Sequence, residues 1–155
     1  MKNIENFTRR KFLNYTMVGG VAIPLFSIIP NSNEAYGGVF QTAKDLENLT
    51  ELEKMHLPKI SLPPVVEDGS QASIVCSVDH PMDEGHYIKS IQIMNFADPV
   101  VIKGKFYLTP NNGEAYISTQ IRLSGGEGTV WVVSECNKHG KWASSKNVSV
   151  AAGGC

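Results

Sequence analysis

The chain has 155 residues, 42% of them hydrophobic and 19% charged, with a formal net charge of -1. That length and composition suggest one globular domain. The near-neutral balance indicates neither a nucleic-acid-binding surface nor a disordered acidic tail.

Residues 1–35 read as an export address rather than as part of the fold. Thr8-Arg9-Arg10-Lys11-Phe12-Leu13 has the pattern of a twin-arginine signal, and an apolar run over 15–30 follows it. An N-terminal membrane anchor is the alternative reading. Gly19, Gly20, Pro24 and Pro30 make the run a poor spanning helix. Cleavage after Ala35 would remove four of the 14 basic and two of the 15 acidic residues. The remainder, 10 against 13, carries a net charge of -3. The expectation is a periplasmic protein that leaves the cytoplasm folded, with a co-exported partner subunit. No membrane association is expected after cleavage.

The mature part begins with one predicted helix over 39–55, where Phe40, Ala43, Leu46, Leu49 and Leu52 recur every three residues. Pro58 ends it. The period then changes to two. Residues 60–62 form a short strand and 67–70 a turn. In 72–78, Ile74, Cys76 and Val78 share one face, and Ser73, Val75 and Ser77 the other. A loop over 81–85 precedes a strand at 87–94, in which Ile88, Ser90 and Gln92 alternate with Lys89, Ile91 and Ile93. Further strands are predicted at 100–108, 115–123, 129–136 and 142–150, separated by glycine-rich turns. About seven short strands with turns every 8–12 residues predict an all-β, immunoglobulin-like sandwich with one N-terminal helix. A closed barrel is the alternative.

An odd number of cysteines in an exported chain suggests one pair and one free thiol. Cys76 and Cys136 stand on strands 60 residues apart and are expected to bridge the two sheets. Cys155 is the leftover thiol, on a tail whose Gly153 and Gly154 carry no Cβ. From Val150 that arm reaches at most roughly 16–18 Å, enough to enter another protein's cleft. The terminal carboxylate and the lack of nearby cations favour a neutral, slow thiol that a partner's pocket must activate. His56, His80, His86 and His139 show no familiar metal-ligand spacing and are expected as surface polar residues, so no metal site is predicted. Neither a phosphate loop nor a nucleophile motif is present, and no cofactor is expected.

Several stretches together resemble the SoxY family of sulfur-oxidation proteins. They are Pro81-Met82 with His86-Tyr87-Ile88-Lys89-Ser90-Ile91, then Phe106-Tyr107-Leu108-Thr109-Pro110 with Gly113-Glu114-Ala115, then Ser118-Thr119-Gln120-Ile121-Arg122-Leu123, and the ending Gly153-Gly154-Cys155. The family pattern continues with two more glycines, which this chain lacks. Cys76 and Cys136 are not part of that pattern. The resemblance implies a substrate carrier rather than an enzyme. Cys155 would hold thiosulfate-derived sulfur, Gly153 and Gly154 would form the carrier arm over 151–155, and the domain over 36–150 would be the docking body. It further implies SoxZ as the heterodimer partner, with transient docking to SoxAX, SoxB and a sulfur dehydrogenase. The rival reading is an immunoglobulin-like binding module whose terminal cysteine forms an intermolecular disulfide.

Overall fold

The computed structural model describes residues 40–153. The proposed signal, Gly154 and Cys155 lie outside them. The strands are β1 (Gln41–Thr42), β2 (Lys59–Ser61), β3 (Val65–Asp68), β4 (Ala72–Val78), β5 (Ile88–Asn95), β6 (Ile102–Tyr107), β7 (Ala115–Ile121), β8 (Gly126–Cys136) and β9 (Gly140–Ala152). One short helix, α1 (Glu51–His56), and 3-10 turns at Gly69–Gln71 and Pro110–Asn112 complete the set. Among the described residues no helix is long and apolar enough to cross a membrane.

Two sheets face each other, as the alternating pattern predicts. The larger runs β1-β9-β8-β5-β6, with β3 also paired to β9, and the smaller runs β2-β4-β7. Ile74, Cys76 and Val78 of β4 lie buried with Ile91 and Ile93 of β5, Ile121 of β7, and Val130 and Val132 of β8. On β4 the opposite face carries Ser73, Val75 and Ser77, none of them buried, which is the expected arrangement for a strand half in water. Ile88 breaks the predicted alternation, because it joins the same core as Ile91 and Ile93. A register shift between Ile88 and Ser90 in the pairing with β8 explains it. One extra residue reverses the phase of every side chain before it.

The predicted helix over 39–55 is corrected to the six residues of α1. The preceding segment is held by its own polar side chains, which offer the backbone an alternative to helix. Asp45 accepts from the Glu47 amide at 2.9 Å and from the Asn48 side chain at 3.0 Å. The three-residue spacing does not mark a buried face either, since Leu46 is 83% and Leu52 53% exposed. Phe40 instead packs on Trp131, outside the larger sheet, in a second apolar cluster with Met94, Val133 and Ala143.

The expected Cys76–Cys136 bridge is likewise corrected: both are free thiols. Cys76 points into the intersheet core, where burial pushes its thiol up to about 12. Cys136 ends β8 and turns toward a group of histidines.

At the far end of β9, Gly153 lies against Gly125. A Cβ on Gly153 would stand 2.6 Å from the Gly125 nitrogen, so a side chain there would collide with backbone. The glycine at 153 therefore serves close packing against the domain.

Candidate metal centre

The four histidines, expected to be scattered on the surface, converge at one end of the sandwich. His56 is the last residue of α1, His80 follows β4, His86 precedes β5, and His139 lies in the turn between β8 and β9. Their ring centroids stand 4.3–4.8 Å apart along the four sides of a square. His56 and His86 are 5.9 Å apart across the diagonal. Successive nitrogens meet at its centre. Nδ1 of His139 is 3.0 Å from Nε2 of His56 and 3.1 Å from Nε2 of His86, which is 3.1 Å from Nε2 of His80. Sγ of Cys136 stands 3.7 Å from Nδ1 of His139. The ligating atoms of His56, His80, His86 and Cys136 all lie within 4.8 Å of one another.

Each local structure aims its side chain. α1 starts where Thr50 and Glu53 cap each other: the Thr50 hydroxyl accepts from the Glu53 amide at 3.3 Å, and the Glu53 carboxylate accepts from the Thr50 amide at 2.8 Å. Replacing Thr50 by Ala is expected to cost about 1 kcal/mol. It should loosen the helix that carries His56, a change that chemical denaturation would read. At the other ligand pair, Gly140 takes a positive φ of 77°, which closes the tight turn after His139. Asn137 ties that turn to the neighbouring loop. Its side chain donates to the Gly85 carbonyl at 3.1 Å and accepts from the Tyr87 amide at 3.1 Å. The Lys138 amide donates to Cys136 Sγ at 3.4 Å.

The protonation pattern points the same way. Nδ1 of His56 donates to the Leu52 carbonyl at 2.7 Å, and Nδ1 of His80 donates to the Pro81 carbonyl at 2.6 Å. These bonds fix the tautomer, so in the neutral rings both Nε2 atoms present bare lone pairs to the centre. If His139 and His86 satisfied them with their own N–H groups, two donor nitrogens with no acceptor between them would stand 3.1 Å apart. A cation removes that conflict. Nitrogens about 2.0–2.1 Å from one ion, at right angles to each other, stand about 3 Å apart. Burial holds His56, His80 and His86 below the ordinary imidazole value, which favours the neutral ligand form. The donor set therefore fits a metal. Four imidazoles and one thiolate exceed the four ligands of a tetrahedral zinc site. His56, His80 and Cys136 are buried and His139 is exposed, so the square meets solvent along one edge.

Cys136-Asn137-Lys138-His139, a Cys-x-x-His spacing, is the sequence signal that marks this centre. Cys136, expected in a bridge, is one of the converging donors.

The molecule is thus a two-sheet β-sandwich with a cluster of four histidines and a cysteine at one end. Known proteins with this fold include a superoxide reductase (neelaredoxin) from Ignicoccus hospitalis. It is 26% identical, with a TM-score of 0.61 over 72% of this chain and 94% of that one. A Thermotoga maritima protein described as a "putative superoxide reductase" is 29% identical over 117 residues, 63% of this chain and 88% of its own. A solved structure from Thermotoga maritima with the same description has a TM-score of 0.57 at 27% identity, over 72% and 93% of the two chains. The family model for sulfur oxidation protein SoxY matches residues 45–155. The chain belongs to the SoxY family, and the resemblance drawn from its sequence is correct.

Proposed function

We propose that the chain holds one iron ion on His56, His80, His86, His139 and Cys136 and reduces superoxide. The convergence of four imidazole nitrogens with a thiol carries this reading. Imidazole and thiolate together suit a redox-active ion. The neelaredoxin and the putative superoxide reductase named above support the substrate. Ferrous iron, held by these five residues, would supply the one electron that turns superoxide, with two protons, into hydrogen peroxide. A reduced donor must return the electron. The chain's own residues favour neutral His56, His80 and His86, fix the tautomers of His56 and His80 through the Leu52 and Pro81 carbonyls, and leave the His139 edge open for a small anion.

A second reading rests on the SoxY family match, which runs to Cys155. Here Cys155 carries thiosulfate-derived sulfur, exported by the twin-arginine route and working in the periplasm with SoxZ, SoxAX and SoxB. The two readings use different cysteines and are compatible.

One experiment separates them. The purified chain is loaded anaerobically with ferrous iron and mixed with superoxide, and a second sample is incubated with thiosulfate and the Sox partners. One iron per chain and superoxide consumption without dioxygen release support the first reading; failure to bind iron overturns it. A sulfonate or sulfane mass on Cys155 supports the second, and an unmodified Cys155 overturns it.

A further inference from the structure

Behind the square of ligands lies a second set of contacts that the donor count does not use. Ser134 of β8 is fully buried, and its hydroxyl donates to the His56 carbonyl at 2.6 Å. The same hydroxyl stands 3.4 Å from the Trp142 carbonyl. Ser134 and Trp142 are paired across β8 and β9. The Trp142 indole lies stacked on the His56 ring, centroids 5.2 Å apart and planes 24° from parallel. Its Nε1–H donates to the His139 carbonyl at 3.2 Å. With the 3.0 Å approach of the His56 and His139 nitrogens, these contacts close a ring: His56, Ser134, Trp142, His139 and back to His56.

His56 and His139 are 83 residues apart and sit on elements that share no backbone ladder. Within the ligand square, the approach of two ring nitrogens alone does not fix α1 against the β8–β9 turn before a metal arrives. The ring does: Ser134 holds the His56 backbone, while Trp142 holds the His56 ring face and the His139 backbone together. We propose that Trp142 and Ser134 are positioning residues that preassemble the His56–His139 side of the metal centre and tune its potential. This rests on the metal-centre reading. The physical reason has two parts. Outer-shell groups that orient ligands raise affinity by removing the cost of ordering them. The negative π-face of an indole against a metal-bound imidazole favours the more positive state of the centre.

The test uses the full chain stripped of metal and titrated with cobalt(II), and the iron-loaded chain for the potential. Trp142→Phe keeps a ring on His56 and removes the N–H; Ser134→Ala removes one hydroxyl. Each is expected to weaken cobalt(II) binding about 10–100-fold. The double variant should lose no more than about the larger single loss, because either change opens the same ring. Trp142→Leu should raise the reduction potential of the iron form, with Trp142→Phe in between. Thermal unfolding of the metal-free variants separates folding from assembly, and Ser134→Ala keeps the test alive if the tryptophan variants do not fold. Wild-type affinity in both Trp142→Phe and Ser134→Ala overturns the proposal, as does loss of stability with affinity and potential unmoved. Failure of the wild-type chain to bind cobalt(II) overturns the metal-centre reading itself.

Discussion

Cys136→Ser is expected to abolish superoxide reduction and leave sulfur loading on Cys155 unchanged. Cys155→Ala is expected to do the reverse. Loss of an outer-shell partner costs a metal site about 10–100-fold, so removing the sole thiolate donor should cost more than about 100-fold in activity. Serine at 136 keeps the volume and the neighbouring Lys138 amide but offers no thiolate. The fold should survive, since Cys136 closes no bridge and ends its strand beside a turn held independently by Asn137. Two assays on each variant decide it: superoxide consumption by the iron-loaded chain, and intact mass after incubation with thiosulfate and the Sox partners. The iron-loaded wild type should also show a visible sulfur-to-metal absorption band that Cys136→Ser lacks. Retention of that band and of activity in Cys136→Ser would remove Cys136 from the centre.

Asp98→Ala should destabilise the fold by about 3–5 kcal/mol, the cost of leaving a buried charge without its partner. That is a large share of the 5–15 kcal/mol typical of a whole domain. Asp98 lies in the loop between β5 and β6 with its side chain 2% exposed, and Lys103, 8% exposed, reaches it at 2.6 Å. The carboxylate also accepts from the Ser124 amide at 3.1 Å and from the Asn95 side chain at 3.2 Å. Burial alone would push the Asp98 pKa up, but the bonds from Lys103 and Ser124 outweigh it and hold it below the ordinary carboxylate value. The sign for acid follows. The contribution is fully present above the unfolded aspartate value of about 3.9 and is lost as pH falls through the lower folded one. Urea unfolding at neutral pH should show a lower midpoint with unchanged slope for Asp98→Ala. The wild-type advantage should shrink only in strong acid. A variant as stable as wild type at pH 7 would mean that Lys103 finds another partner.

Much of the sandwich was legible because strand burial leaves a period of two, and the β4 stretch over 72–78 shows it over its full length. Family membership was legible in motifs spread over most of the same region. The helix was misread because spacing among Phe40, Ala43, Leu46, Leu49 and Leu52 says nothing of Asp45 and Asn48, whose side chains take the backbone elsewhere. The centre was missed for a different reason. Its donors come from four segments, the end of α1, the residues after β4, those before β5 and the β8–β9 turn, which only the tertiary fold brings together. A histidine after a strand looks the same on the surface and at a metal. Two strand cysteines in an exported chain read as a bridge, and a bridged Cys136 has no thiol to offer beside His139.

The length of β9 has a kinetic consequence. It begins beside the histidine turn and ends at Ala152, and its 13 residues make twelve steps of about 3.3 Å, or about 40 Å. The three residues beyond it can recover at most roughly 10 Å. Within one molecule, Cys155 therefore cannot reach the His139 edge. Any sulfur or electron passed directly from one to the other must pass between molecules, so the rate of that direct exchange would rise with the square of protein concentration and vanish on dilution. Reactions confined to either end would scale with concentration only once.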